Sequence, residues 1–229
     1  MNMHSLRLEG AITALVTPFR DGKIDVVGLT SLVEWQIRHG ISGIVACGTT
    51  GEAPTLSRAE RAMVIERCVE VAERKIPVIA GTGTNSTATT IELTAEAKAL
   101  GADAALVVTP YYVRPTQEGL RRHFLEAAER GGLPIILYNV PTRTACDLQP
   151  ATVAALREHP RIIGIKEAVP DASRVRAIAA LVREDFSYLS GDDGSAGEAM
   201  LAGAAGTISV VAELVPAAFR ALCDAALAG

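Results

Sequence analysis

The sequence predicts an α/β protein folded as a single-domain (β/α)8 TIM barrel. Short apolar segments alternate with longer amphipathic segments along the 229 residues, an order typical of parallel strands joined by helices. The short segments are apolar on both faces, as expected of strands that are covered on both sides. Eight such units in about the length of a closed barrel favour the barrel over a doubly wound open sheet.

Almost every predicted strand is a short apolar run that ends in polar residues or glycine. The clearest example lies between Pro160 and Pro170 and ends in Lys166 and Glu167. The predicted strands, in chain order, cover residues 11–17, 43–47, 77–81, 104–109, 134–139, 162–167, 188–191 and 206–210.

The segments between the strands have the apolar spacing of helices that pack one face on a sheet. The second begins after Ser57, with Glu60 in capping-box spacing, and others end near Gly40, Gly101 and Gly131, as helix C-caps prefer. The predicted helices cover residues 26–39, 58–74, 88–100, 117–130, 151–158, 172–184, 195–201 and 216–226. No linker divides the chain, so residues 1–229 are predicted to form one domain.

Composition restricts the possible partners. The formal net charge of −4, without a basic run, argues against nucleic acid, and the uncharged stretches, among them residues 76–91 and 199–212, are too short to cross a membrane. The four cysteines lack a C-x-x-C pair, which predicts reduced thiols in the cytoplasm. The four histidines lack metal-ligand spacing, so no metal is expected.

The predicted strands end in residues suited to an active site, and barrel enzymes carry their active sites at this end of the strands. These ends, in order, are Thr17-Pro18, Gly48-Thr49-Thr50-Gly51-Glu52, Gly81-Thr82-Gly83-Thr84-Asn85, Thr109-Pro110-Tyr111-Tyr112, Tyr138-Asn139, Lys166-Glu167 and Gly191-Asp192-Asp193. One polar end could arise by chance, but so many predict a site.

Lys166 is the residue around which this site is organised. Taken alone, a lysine at a strand end could simply extend its ammonium into water. Tyr138 ends the preceding strand at a similar depth, and neighbouring strands lie about 4.8 Å apart. A phenol beside an amine suits Schiff-base chemistry, in which protons leave and return at a carbonyl carbon. Burial among Ile and Val side chains is expected to lower the pKa of Lys166 and so supply the neutral amine.

Two loops offer groups for binding carboxylates. Glycines on both sides of Thr49 and Thr50 let backbone N–H groups approach a ligand closely, although the same residues could form an ordinary capped turn. Arg143 is the cation of the loop that follows Tyr138, and it could either clamp a carboxylate or extend into solvent.

Five motifs resemble those of the dihydrodipicolinate synthases, pyruvate-dependent class I aldolases related to N-acetylneuraminate lyase. They occur in the order found in that family, and the similarity runs from about Gly10 to the last residue. The motifs are Gly-Thr-Thr-Gly-Glu at 48–52, Thr-Pro-Tyr-Tyr-Val-Arg-Pro at 109–115, Tyr-Asn-Val-Pro-Thr-Arg-Thr at 138–144, Gly-Ile-Lys-Glu-Ala at 164–168 and Gly-Asp-Asp at 191–193.

The resemblance implies catalytic roles for four residues. Lys166 would form a Schiff base with pyruvate, without any other cofactor. Tyr138, Thr49 and Tyr112 would relay protons, with Tyr112 reaching the site of a neighbouring subunit across a dimer interface.

The resemblance also implies binding roles. Thr50 would hold the carboxylate of pyruvate, and Arg143 would bind the carboxylate of aspartate semialdehyde at the entrance. Gly191 and Ile208 would line the pocket beside the lysine.

The implied activity is a lyase that condenses pyruvate with L-aspartate 4-semialdehyde in lysine biosynthesis. Two alternatives remain open at this point, a related sugar-acid aldolase and a barrel that binds pyruvate with little turnover. Arg143 favours the synthase. The family continues into a helical domain after the barrel, so the chain ending at Gly229 is expected to lack that domain and to form at most a dimer rather than a tetramer.

Two other positions depart from the family pattern. Ala145 replaces a usual glycine beside the arginine. Thr89 replaces a glutamate of the lysine feedback pocket, although Asn85 and Tyr111 match that pocket. Little or no inhibition by lysine is therefore expected.

Overall fold

The computed structural model describes Leu6 and residues 8–229. Eight parallel strands close into a barrel, which confirms the predicted fold class. The strands are β1 (Gly10–Ala14), β2 (Gly43–Ala46), β3 (Val78–Gly81), β4 (Ala104–Val108), β5 (Ile135–Asn139), β6 (Ile162–Glu167), β7 (Ser187–Ser190) and β8 (Gly206–Ser209).

The first strand closes the barrel by pairing with both of its neighbours. Gly10 lies opposite Gly206 in β8, and Ile12 lies opposite Gly43 in β2. A doubly wound sheet would leave two open edges, so this pairing excludes the alternative considered from the sequence.

A helix follows each strand, although not always directly. The helices are α1 (Val26–Arg38), α2 (Arg58–Ala72), α3 (Thr87–Ala99), α4 (Gln117–Gly131), α5 (Pro150–Leu156), α6 (Ala172–Ala179), α7 (Ala196–Leu201) and α8 (Pro216–Ala228). The predicted capping box is present, since Ser57 and Glu60 each accept a hydrogen bond from the other's backbone N–H.

The apolar core has two layers because strand side chains alternate between the faces of the barrel wall. Ile12, Val45 and Ile136 belong to the layer inside the barrel. Leu137 and Ile165 belong to the larger layer between the strands and the helices. The inner layer reaches Tyr138 and Ile208, so the floor of the predicted site is closed by packed side chains.

Several predicted boundaries were wrong, for reasons visible in the hydrogen bonds. The first strand ends at Ala14 rather than residue 17, since Val16 N–H donates to the Glu213 carboxylate at 2.9 Å. Helix α6 ends at Ala179 rather than residue 184, because Arg183 and Phe186 pair through their backbones. The C-cap of α4 is Gly132, with a φ of 81°, rather than Gly131.

Two elements were not predicted. Phe19–Arg20 and Lys23–Ile24 form a short antiparallel hairpin. Its turn is Asp21-Gly22, with both residues at positive φ, a combination that favours two-residue hairpins. Pro141–Thr144 forms one helical turn directly after β5, and proline suits the first position of such a turn.

Two further observations concern the predicted partners and thiols. Within the described residues, no helix combines the length and the apolar character needed to cross a membrane. Cys47, Cys68, Cys146 and Cys223 are all free and buried.

Candidate active site

Tyr138 and Lys166 lie side by side inside the barrel. They are register partners in β5 and β6, and each is only 6% exposed. The Lys166 Nζ lies 4.5 Å from the centre of the Tyr138 ring. The prediction that these two strand ends bring a phenol and an amine together is therefore confirmed.

The surroundings of Lys166 favour its neutral form. Its pKa is lowered to about 8, mainly by burial; the carboxylate of Asp193 opposes this shift and the charge of Arg143 contributes to it. With this pKa about 10% of the amine is neutral at pH 7, against about 0.04% for an unperturbed lysine. The amine is thus suited to attack a carbonyl carbon.

Tyr138 is held as a neutral phenol in the same environment. Burial raises its pKa, while a hydrogen bond with Thr49 and the charge of Arg143 act in the opposite direction. A neutral phenol next to a hydroxyl can pass protons in both directions. The Thr49 hydroxyl acts on the pKa of Tyr138, as expected for partners in a proton relay.

The loop that carries Thr49 and Thr50 is anchored by the backbone. Thr17 donates its hydroxyl to the Gly51 carbonyl at 2.7 Å, and a Cβ on Gly51 would lie 3.0 Å from the Leu15 carbonyl oxygen. This close approach requires glycine. Thr49 lines the cavity at the barrel mouth, whereas Thr50 is half-buried beside it and is not part of that cavity wall.

That cavity has a volume of about 420 Å³. Its wall includes the phenol of Tyr138, the guanidinium of Arg143 and the side chains of Tyr111 and Thr144. Lys166 is not part of the wall and lies against the face of the Tyr138 ring. A ligand in the cavity would therefore approach the amine alongside Tyr138.

Arg143 lies at the edge of the cavity on the helical turn Pro141–Thr144. Its side chain is exposed, and no ion pair joins it to a carboxylate among the residues that the structure describes. A guanidinium in this position can bind a carboxylate through two hydrogen bonds.

Gly191 and Ile208 complete the surroundings of the lysine. A Cβ on Gly191 would lie 3.1 Å from both Cε and Cγ of Lys166, so a larger residue here would require the lysine stem to shift. Ile208 is 1% exposed in the inner layer of the core. The structure thus places Gly191 against Lys166 and Ile208 inside the barrel.

Tyr112 is the one predicted catalytic residue that does not reach this site. Its side chain is 86% exposed, and its φ of 73° is uncommon for a residue other than glycine. Its backbone N–H donates to the Thr144 carbonyl at 3.3 Å. The adjacent Tyr111, rather than Tyr112, lines the cavity.

Asp193 lies near the site, although the sequence predicted no role for it. Its Oδ2 accepts hydrogen bonds from the backbone N–H groups of Val210 and Val211, each at 3.1 Å. Its charge raises the pKa of Lys166 against the effect of burial. The Gly-Asp-Asp motif marked this strand end, but only the folded chain brings the carboxylate near the lysine.

No group of three or more His, Cys, Asp or Glu side chains in the described part of the chain could hold a metal ion.

Comparison with known proteins agrees with the family resemblance of the sequence motifs. The model of the dihydrodipicolinate synthetase family matches residues 7–229. The chain is 53% identical over 224 residues to 4-hydroxy-tetrahydrodipicolinate synthase of Stenotrophomonas maltophilia, covering 97% of this chain and 75% of that protein. It is 53% identical over 223 residues to the same enzyme of Methylococcus capsulatus, covering 97% and 77%.

The fold is also close to that of solved structures. The crystal structure of chloride-inhibited dihydrodipicolinate synthase from Acinetobacter baumannii, complexed with pyruvate, superposes with a TM-score of 0.95 at 51% identity. The match covers 97% of this chain and 77% of that one. The chain therefore spans about three quarters of the length of these relatives.

Proposed function

The chain belongs to the dihydrodipicolinate synthetase family, and we infer from this that it is a lyase, a 4-hydroxy-tetrahydrodipicolinate synthase. Its reaction condenses pyruvate with L-aspartate 4-semialdehyde, the first committed step of diaminopimelate and lysine biosynthesis. At the level of single residues, the assignment rests on Lys166. Its buried amine has a pKa of about 8 and lies beside the phenol of Tyr138.

In the first half of the proposed reaction, the neutral amine of Lys166 attacks the keto carbon of pyruvate. Loss of the former keto oxygen as water gives a protonated Schiff base, and loss of a proton from the methyl carbon then gives an enamine. These steps need a group that donates and accepts protons next to the amine. The position of the Lys166 amine over the Tyr138 ring and the effect of the Thr49 hydroxyl on the pKa of Tyr138 support that role for the pair.

In the second half, the enamine carbon attacks the aldehyde carbon of the semialdehyde. The amino group of the semialdehyde then displaces Lys166 and closes the ring, so the complete reaction releases one water. Arg143 at the cavity edge supports a role in holding the carboxylate of this second substrate. Thr50 is assigned to the pyruvate carboxylate, and Gly191 and Ile208 to the pocket wall around the lysine.

We propose that Tyr112 completes the relay in the site of a second subunit within a homodimer. Its exposed ring and its unusual backbone conformation support this assignment, because strained residues are often found at functional sites. A cytoplasmic location is proposed from the four free, buried thiols, which suit a reducing compartment.

A substrate panel tests the proposed activity. The purified chain is assayed with pyruvate and either aspartate semialdehyde or neutral sugar aldehydes. Recognition of a charged group predicts a kcat/KM at least about 100-fold higher for the semialdehyde. Preference for a sugar aldehyde would identify a sugar-acid aldolase instead. A pyruvate adduct without turnover of any aldehyde would identify a binding barrel.

A further inference from the structure

A polar cluster lies on the outer face of the barrel wall, directly behind the site. Asn139 and Glu167 each follow a site residue in sequence, Tyr138 and Lys166, and are partners in the strand register. Because strand side chains alternate, this second pair points away from the barrel interior. Asn139 Nδ2 donates to both carboxylate oxygens of Glu167, at 3.1 and 3.0 Å.

Asn139 also closes the loop that carries Arg143. This arginine loop comprises residues 140–148. Asn139 Nδ2 donates to Asp147 Oδ1 at 2.9 Å, and Asn139 Oδ1 accepts from the Leu148 backbone N–H at 2.9 Å. The two ends of the arginine loop are therefore held together by one buried side chain.

Arg174, in the first turn of α6, connects the arginine loop to the strand that bears the lysine. Its guanidinium contacts Asp147 Oδ2 at 2.5 Å, the Leu148 carbonyl at 3.0 Å and Glu167 Oε2 at 3.6 Å. The Arg174 side chain is 14% exposed. One cation thus lies between two carboxylates from separate segments of the chain.

Glu167 is stabilised by these contacts despite its burial. Its Oε1 also accepts from the Val169 backbone N–H at 3.0 Å. Burial raises the pKa of Glu167 to about 7, and the contacts with Asn139 and Arg174 oppose that rise. A buried carboxylate is retained only at a cost in free energy, which suggests that this network serves more than stability.

We propose that Asn139, Asp147, Glu167 and Arg174 form an outer clamp that positions the arginine loop relative to Lys166. None of the four lines the cavity, so they act through Arg143 and Lys166 as positioning residues. The clamp fixes the distance between the cation that receives the second substrate and the amine that carries the first. This inference rests on the roles proposed above for Lys166 and Arg143.

The substitution Asp147→Asn tests the clamp with little risk to folding, because the Asp147 side chain is 39% exposed. Asparagine keeps the volume and an acceptor for Asn139 but removes the charge that faces Arg174. Loosening of the arginine loop is expected to raise the KM for aspartate semialdehyde on the order of tenfold. The rate of borohydride trapping with pyruvate should stay within about twofold of wild type, since Lys166 is untouched.

Arg174→Lys provides a second variant, because lysine keeps the charge but cannot contact three acceptors in one plane. The matched control is Asp185→Asn, which removes an aspartate from another arginine pair, Arg183–Asp185 at 2.6 Å. The control should leave both the KM for the semialdehyde and the trapping rate unchanged.

An increase in the KM for the semialdehyde in both clamp variants, but not in the control, would support the proposal. Values within twofold of wild type in both clamp variants would overturn it, as would an equal increase in the control. The proposal would also be overturned if the clamp variants lost kcat only in proportion to a lower melting temperature, because the four residues would then serve stability alone. If the wild-type chain forms no adduct with pyruvate, the proposed function fails first and the clamp fails with it.

Discussion

The Nζ of Lys166 lies 4.5 Å from the centre of the Tyr138 ring. Burial acts on both groups, lowering the pKa of the amine to about 8 and raising that of the phenol. The phenol therefore stays neutral and can donate a proton, and the amine loses its proton more readily than a free lysine and can then attack a carbonyl.

The phenol hydroxyl is expected to be needed for proton transfer but not for Schiff-base formation itself. Tyr138→Phe keeps the ring and should lower kcat by about 100- to 10,000-fold, the usual contribution of a general acid or base. Steady-state kinetics measures this loss. Tyr188→Phe is the control, because Tyr188 is also buried but belongs to the outer layer of the core. Equal losses in both variants would contradict the role given to Tyr138.

Formation of the Schiff base should depend on pH through Lys166. Because the neutral amine is the nucleophile, the trapping rate at low pyruvate should rise about tenfold per pH unit below pH 8 and level off above it. Asp193 raises the pKa of Lys166, so Asp193→Asn should move the midpoint to lower pH, with Asp192→Asn as the control. A midpoint near pH 10 in the wild type would show that the lysine is not perturbed.

The same shift in pKa has a consequence for stability. The pKa of Lys166 is lower in the folded chain than in the unfolded chain, where it is about 10.4. Between about pH 8 and about pH 10.4 the unfolded chain binds the extra proton, so raising the pH through this range contributes stability.

Gly191 should tolerate no side chain. In Gly191→Ala the new Cβ would lie 3.1 Å from Cε and Cγ of Lys166 and 3.0 Å from the Ala168 Cβ. We expect the trapping rate to fall at least about tenfold and the free energy of unfolding to fall by about 1–3 kcal/mol, as in overpacked cores. Gly197→Ala is the control, since its Cβ would meet nothing within 4 Å. Normal trapping in Gly191→Ala would show that the stem of Lys166 lies elsewhere.

Lysine is expected to inhibit the enzyme weakly or not at all. Tyr111 lines the cavity at the barrel mouth, where the described lining residues include Arg61 and Arg143 but no carboxylate. Thr89 offers only a hydroxyl, which is bonded to Ser86. An ammonium without a charge partner could lose about 2–5 kcal/mol of affinity. Initial rates measured with added lysine test this expectation.

A variant that gains inhibition by lysine would test the role of residue 89 directly. Thr89→Glu should introduce inhibition, whereas Ala88→Glu, one residue away and also exposed, should not. Inhibition of the wild type at sub-millimolar lysine would mean that another acid, such as Glu52 or Glu92, takes the role.

The barrel could be predicted from the sequence because each strand is a short apolar run with a distinct end. The pairing of Tyr138 with Lys166 followed from their similar positions in adjacent strands. The boundaries after Ala14 and Ala179 could not be predicted, because they depend on contacts with the distant Glu213 and on the turn before β7. The hairpin around Asp21-Gly22 carries a turn signal in the sequence, because Asp-Gly favours a two-residue hairpin turn.

The outer clamp includes contacts that could not be predicted from residue spacing in the sequence. Asn139 and Glu167 occupy neighbouring strand ends, so their proximity could have been expected. The hydrogen bond from Asn139 to Asp147, however, depends on the path of the arginine loop. The contacts of Arg174 depend on where α6 begins. Neither set of contacts corresponds to a residue spacing that can be recognised in the sequence.

The most direct test of the central claim is mass spectrometry after reduction with borohydride in the presence of pyruvate. We predict a single reduced pyruvate unit on Lys166 and none on Lys23, Lys75 or Lys98. Lys166→Arg should form no adduct, because arginine stays protonated and cannot attack a carbonyl. An adduct on another lysine, or one that persists in Lys166→Arg, would contradict the account.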